Sequence, residues 1–261
     1  MNVLVAIAKN EKNYIKEWLD YHLNLGFDHV YLIDNGNNGR IDTADPRLRI
    51  IEDRSEAIQL RAYNSIYCQL KLGDVMAVLD IDEFLTIPTN VDKFVRTYMQ
   101  DCDCLRLSWQ TFGDCGNVKY EKKPLLERFT IPSPIDCKFN LDLPKGITEN
   151  WHTKYFVRKT WKPTTLGIHN PTITFGISKN VLGEKVDSNS PFMKPIWNIA
   201  YIKHMLTKST QEFVKRRFNA VDACGNVVCD NIRLVERYFS LNERTPEKEA
   251  IFANVKKENK K

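Results

Sequence analysis

Val75-Met76-Ala77-Val78-Leu79-Asp80-Ile81-Asp82-Glu83 is an apolar run of strand length that ends abruptly in three carboxylates. A continuous apolar run reads as a strand buried on both faces, the kind found in parallel sheets covered by helices. In such sheets ligands bind beyond the carboxyl ends of the strands. Residues 80 and 82 share one face if the strand continues. Two carboxylates packed together are unfavourable unless a cation or hydrogen bonds compensate. Mg²⁺ and Mn²⁺ take oxygen ligands and bridge them to phosphates, so a divalent metal at Asp80 and Asp82 is one reading. The other is an acidic strand-end loop, because Asp-x-Asp alone is common.

The sequence upstream supports the same architecture. Val3 to Ala8 reads as a buried strand. Asn10 is placed to cap a helix whose apolar positions, Tyr14/Ile15, Trp18/Leu19 and His22/Leu23, fall on one face before Gly26 ends it. A second strand follows at His29 to Ile33, then the Asn/Gly-rich loop after Asp34. A third strand is expected at Leu48 to Ile51 and a helix from Ser55 to Leu72, ending at Gly73. Strands alternating with helices point to an α/β, Rossmann-like, mostly parallel sheet with helices on both faces.

The second half is less regular. Strands are expected at Cys104 to Trp109, Lys154 to Arg158, Thr172 to Ile177 and Ile196 to His204. Pro124 to Trp151 reads as a long loop or partial lid. Ser209 followed by Glu212 forms a capping-box pattern opening a helix through Asn219, and a further helix is expected from Asn231 to Phe239.

Composition narrows the class. In 261 residues, 43% are hydrophobic and 27% charged, an ordinary globular balance, and no run approaches a membrane span. The N-terminus lacks a basic leader and reads as a strand rather than a signal peptide. Seven cysteines, including Cys102/Cys104 and Cys224/Cys229, lack zinc-ribbon spacing; reduced thiols in a cytoplasmic protein are expected. The charge of +5 gathers in Lys215-Arg216-Arg217 and in the tail from Lys256 to Lys261. These read as a solvated face and a frayed end, or as contact with an acidic membrane surface or a phosphate-bearing acceptor. No nucleic-acid motif accompanies them.

Three more positions qualify as site candidates. Asp34, ending the second strand, suits a base or ribose hydroxyl, or else opens an Asx-turn. His204 is a metal ligand or a structural histidine; mixed His/carboxylate sites favour Mn²⁺. His169-Asn170-Pro171 is a site element or a turn.

At these residues the chain resembles bacterial glycosyltransferases of the GT-A (nucleotide-diphospho-sugar transferase) fold, in the family 2-like group related to glycosyltransferase family 92. The resemblance runs from about Val3 to Phe218. It rests on Ala6-Ile7-Ala8-Lys9-Asn10-Glu11, Glu17-Trp18-Leu19-Asp20-Tyr21-His22, Tyr31-Leu32-Ile33-Asp34-Asn35, Gln59 with Tyr63-Asn64, and Asp80-Ile81-Asp82-Glu83-Phe84. Trp109-Gln110-Thr111-Phe112-Gly113, His169-Asn170-Pro171 and Lys203-His204 with Lys208-Ser209 and Glu212-Phe213 continue it.

The resemblance implies a catalytic domain over 1–220, with a nucleotide-sugar half (1–110) and an acceptor half (111–220), followed by a helical extension and basic tail (221–261). Ala8, Asn10, Asp34, Gln59, Asn64, Asp80 and Ile81 would line the donor site, and Asp82 and His204 would bind Mn²⁺ or Mg²⁺. Trp109 and His169 would meet the acceptor. A hexose would pass from a nucleotide-diphosphate donor, UDP-sugar favoured, to a glycan or lipid-linked acceptor with inversion. The setting would be cell-envelope polysaccharide synthesis, at or near the inner face of the membrane. Inversion needs a general base, for which Asp114 is the first candidate, with Glu184 and Asp187 behind it. Two alternatives fare worse. A sugar-phosphate nucleotidyltransferase would show a Gly-rich basic loop where Ala8-Lys9-Asn10-Glu11 stands. A non-catalytic binding domain has no need to keep Asp80, Asp82 and His204.

Overall fold

A computed structural model describes residues 1–37, 41, 44–218 and 231–258. In chain order the first half holds β1 (Asn2–Ala8), α1 (Lys12–Asn24), β2 (His29–Asp34), β3 (Leu48–Glu52), α2 (Gln59–Gln69), β4 (Val75–Val78), β5 (Glu83–Thr86), α3 (Val91–Tyr98) and β6 (Cys104–Phe112). The second half holds α4 (Leu125–Arg128), β7 (Thr153–Arg158), β8 (Thr164–Leu166), β9 (Pro171–Ile173), β10 (Ser178–Asn180), β11 (Tyr201–Met205), α5 (Thr210–Arg217), α6 (Asn231–Phe239) and α7 (Pro246–Glu258).

The main sheet runs β3-β2-β1-β4-β7-β6-β11-β5, with β10 also on β6. Only β7 and β5 run antiparallel to their neighbours. Alternation along β1 and β4 sorts the core into two layers. Leu4, Ala6, Ala8, Ala77 and Leu79 join α1 and α3 on one face. Val3, Val5, Met76 and Val78 join Tyr63, Ile66 and Tyr67 of α2 on the other. The α/β class, the mostly parallel sheet and the helices on both faces are as expected. A third cluster joins Phe213 and Val214 of α5 to Leu234 and Tyr238 of α6 and Phe252 of α7, so it crosses the boundary expected at residue 220.

Several boundaries move, each for a local reason. Asn10 does not cap α1: it adopts the left-handed conformation (φ 59°), which Asn tolerates, and Glu11 takes the cap position. α2 begins late because Ala57 is left-handed (φ 50°), and Phe175 (φ 56°) turns the chain soon after β9. The capping box of α5 is formed as expected. Helix α7 was not foreseen as an element, and the expected long loop contains α4 and a 3-10 turn at Glu149–Trp151. Asn219, Cys224, Cys229 and residues 259–261 lie outside the described residues. The five described cysteines are unpaired. Among the described residues no helix is long and apolar enough to cross a membrane.

Candidate active site

β1, β2 and β4 end together, so Ala8, Asp34 and the turn Asp80 to Asp82 meet at one edge of the sheet. β7 runs antiparallel to β4, which brings its first turn of chain to the same edge. There Lys154 Nζ lies 2.9 Å from Asp80 Oδ2 and 3.4 Å from Glu83 Oε2. Gln59 Nε2 donates to Asp80 Oδ1 at 3.2 Å. Asp80 is thereby aimed while staying 28% exposed.

Asp82 is turned inward and only 1% exposed. Strand β11 lies between β6 and β5, pairing His204 with Thr111 and Glu83. His204 Nε2 is 3.8 Å from Asp82 Oδ1, too far for a hydrogen bond. On its other oxygen Asp82 accepts from Lys208 Nζ at 3.1 Å and from Arg216 NH1. Glu11 sits across from it, 3.2 Å from Arg216 Nε and 4.0 Å from Lys208 Nζ. Burial opposes ionisation of Asp82, but Arg216 and Lys208 hold its pKa well below the usual carboxylate range. Burial pushes His204 down to about 3, leaving a neutral imidazole. Burial pushes Glu83 up to about 8 against the opposing pull of Lys154.

Buried polar side-chain atoms without a hydrogen-bond partner gather here: Glu11 Oε2, Glu83 Oε1, Trp109 Nε1, Thr111 Oγ1, His204 Nδ1 and Arg217 Nε. Such atoms are rare in native interiors and call for a partner, water or ligand, beyond the chain's own groups.

Some expected residues take other roles. Asp34 Oδ1 accepts from the Gly36 and Asn37 amides and from Asn37 Nδ2, so this oxygen forms the turn. The Ala8 carbonyl accepts from Asn37 Nδ2. Ile81 is core. Asn64 exchanges two hydrogen bonds with the Leu166 backbone and tethers β8 to α2, a structural role in place of donor contact. Trp109 is 5% exposed and hemmed in by the rings of His152, His169 and His204, so it offers no open face for a sugar. His169 is held to the Thr153 carbonyl, and burial lowers its pKa. Glu184 accepts from Asn180 Nδ2 and lines a surface groove with Met193, Ile196 and Trp197, whose indole N–H donates to the Trp109 carbonyl. Exposed Asp187 caps its own loop through the Asn189 amide.

Asp114 is the clearest correction. It is 3% exposed, lies 2.6 Å from Lys248 Nζ of α7, and accepts from the Tyr238 hydroxyl and the Gly116 amide. A carboxylate so enclosed clasps the C-terminal helices and is not placed as a base. Conversely, the sequence does not mark Glu11, Lys154 or Lys208 as site residues, and it offers Arg216 only within a basic patch for a membrane surface or a phosphate-bearing acceptor. Arg216 lay in an apparent surface basic patch, of which only Lys215 is fully exposed.

Divalent-metal fit rests on a narrow geometry. Among the described residues no three His, Cys, Asp or Glu side chains converge on a metal position. Asp82 Oδ1 and neutral His204 Nε2 do face each other, and a hard cation completed by substrate phosphates needs few protein ligands. Asp82 Oδ1 and His204 Nε2, 3.8 Å apart, are the two side-chain atoms that would have to hold such an ion.

No protein-family model matches the chain. It is similar to a glycosyltransferase family 92 protein of Ricinus communis, 24% identical over 126 residues, which are 43% of this chain and 23% of that protein. It is equally similar to one of Oryza sativa subsp. japonica, 24% identical over 137 residues, 48% of this chain and 24% of that protein. The match therefore spans less than a quarter of either relative's length. Among solved structures, S. aureus TarS 1–349 covers 97% of this chain, with 78% of that structure covered, at a TM-score of 0.39 and 13% identity. The same protein in complex with UDP-GlcNAc gives 97%, 70%, 0.40 and 12%.

Proposed function

We propose that this chain is a glycosyltransferase that takes a sugar from a nucleotide-diphosphate donor held at the carboxyl edge of the sheet. The observation that carries the reading is the convergence of Asp34, Asp80, Asp82 and His204 at that edge. The partial likeness to family 92 proteins supports it.

In this reading Asp34 and the Ala8 strand end border the nucleoside, and Asp80, oriented by Lys154 and Gln59, faces the ribose or the phosphates. Asp82 and His204 would hold Mn²⁺ or Mg²⁺. When bound, that ion supplies Lewis-acid neutralisation of the departing diphosphate. Burial keeps the His204 lone pair available by keeping the ring neutral. Glu83 fixes the turn by accepting the Asp80 amide at 2.9 Å. The acceptor enters on the Trp109–Trp197 side, where the groove lined by Glu184 opens. We favour a UDP-sugar as donor, inversion, and a glycan or lipid-linked acceptor of the cell envelope.

Calorimetry with UDP and GDP, with and without Mn²⁺, tests the donor site. The expected result is that Mn²⁺ tightens one nucleotide in the wild type and has no such effect in Asp82→Ala or His204→Ala. Donor hydrolysis or transfer should fall with it. Metal-dependent turnover unchanged in Asp82→Ala would sink the metal role, and no nucleotide binding at all would sink the donor site.

A further inference from the structure

We propose that Arg216, backed by Lys208, binds the donor's diphosphate directly, so that nucleoside diphosphates bind this site without any divalent cation. The proposal rests on the donor-site reading above and adds a second, protein-borne counter-charge to it.

Arg216 is fastened at two of its three nitrogens. Its NH1 donates to Asp82, and its Nε lies 3.2 Å from Glu11 Oε1, both buried carboxylates. A guanidinium carries five N–H donors in a rigid fork. The two carboxylates take Nε and NH1, NH2 makes no hydrogen bond among the described residues, and the side chain remains 32% exposed. Asp80 is near enough to interact with it electrostatically and is the other partly open charge of the site. The outer donors of Arg216 are therefore presented at the mouth by an arginine that has already lost its rotamer freedom. A guanidinium held in this way can donate through NH2 to a phosphate oxygen.

Charge balance points the same way. Around Asp82 stand two carboxylates, Asp82 and Glu11, and three cations, Lys208, Arg216 and Arg217. Lys208 is wedged beneath, 2% exposed, 3.1 Å from Asp82 and over the Tyr14 ring at 4.9 Å. Arg217 Nε has no hydrogen-bond partner. Nearby Asp80 and Lys154 offset each other. On the α5 side the site thus sets three cations against two carboxylates, with Asp80, Glu83 and Lys154 facing them.

The test is calorimetric titration of UDP, GDP and inorganic pyrophosphate into the wild type in EDTA. Saturable binding of a nucleotide and of pyrophosphate is expected, weakening as salt rises. Arg216→Gln should weaken both roughly tenfold to a hundredfold, the loss of a hydrogen bond between charged groups. Arg216→Lys, which keeps the charge and loses the fork, should fall between. Far-UV circular dichroism and Tm check that the variants fold; if Arg216→Gln does not, the wild-type titration in EDTA decides alone. UDP or GDP binding that needs Mn²⁺ absolutely would overturn this inference and leave the donor-site reading standing. Binding in EDTA that is unchanged in Arg216→Gln would overturn it as well. Absence of binding with metal and without it would overturn both.

Discussion

Glu83 shows how far one residue's surroundings can move its chemistry. Its side chain is fully buried, Oε2 accepts from the Asp80 amide, and Oε1 has no partner. Lys154 at 3.4 Å favours the anion, yet burial outweighs it and pushes the pKa from 4.5 up to about 8. The folded chain therefore holds this proton more tightly than the unfolded chain. Its contribution to stability is complete below pH 4.5 and is lost as pH rises through 8. Neutral His22 and His204 act in the opposite sense. Burial lowers each from 6.5 to about 3, so their contribution is present above 6.5 and is lost as pH falls toward 3. The difference between wild type and Glu83→Gln isolates the carboxyl. Measured as Tm between pH 5 and pH 9, the wild type should lose ground to the variant as pH rises and level off above about 8. Parallel curves would mean that Glu83 is ionised throughout.

At the scale of elements, α5 shows which parts of the site were legible. Its start was readable from spacing: Ser209 accepts the Glu212 amide, and Glu212 Oε2 accepts the Ser209 amide at 3.1 Å. What anchors it was not readable. Glu212 also receives a fork from Arg128 at 2.7 and 2.9 Å and the Tyr14 hydroxyl at 2.6 Å, from α4 and α1 far away in the chain. The carboxylates of the site stood out because a strand end sets them up locally. Its cations did not, because Arg216 meets Asp82 across 134 positions and Lys208 across 126. Locally, Lys215-Arg216-Arg217 has the look of a solvated face. The anchoring has a measurable consequence. Ser209→Ala removes a cap and should cost about 1 kcal/mol in urea unfolding. Glu212→Gln leaves Arg128, 2% exposed, without its counter-charge and should cost about 3–5 kcal/mol. Equal costs for the two would show that the Arg128 fork contributes nothing.

At the scale of the whole molecule, β1, β2 and β4 were legible because each is a local apolar run, and α1 and α2 supply the alternating helices. The reversal of β7, the insertion of β11 between β6 and β5, and the packing of α6 and α7 depend on contacts between distant segments, for which periodicity has no signal. Asp114 is the sharpest case. Read as a candidate base from its place after Phe112-Gly113, it instead holds the C-terminal helices to the sheet domain. Lys248 and Tyr238 reach it from α7 and α6, while its amide donates to Asn242 Oδ1 at 2.6 Å. Gly113 permits that approach, since a Cβ there would meet Asn242 Oδ1 at 2.5 Å. Asp114→Asn strands the Lys248 ammonium in the interior, whereas Asp114→Asn combined with Lys248→Met removes the stranded charge. The single variant should expose α6 and α7 to faster hydrogen exchange and tryptic cleavage, with the sheet still protected, and the double variant should recover much of that protection. Turnover separates this clasp from the base it was expected to be. A general base lost to Asn removes the chemistry in both variants and leaves exchange in α6 and α7 untouched. A clasp lost to Asn frees the helices, and activity returns with them in the double variant.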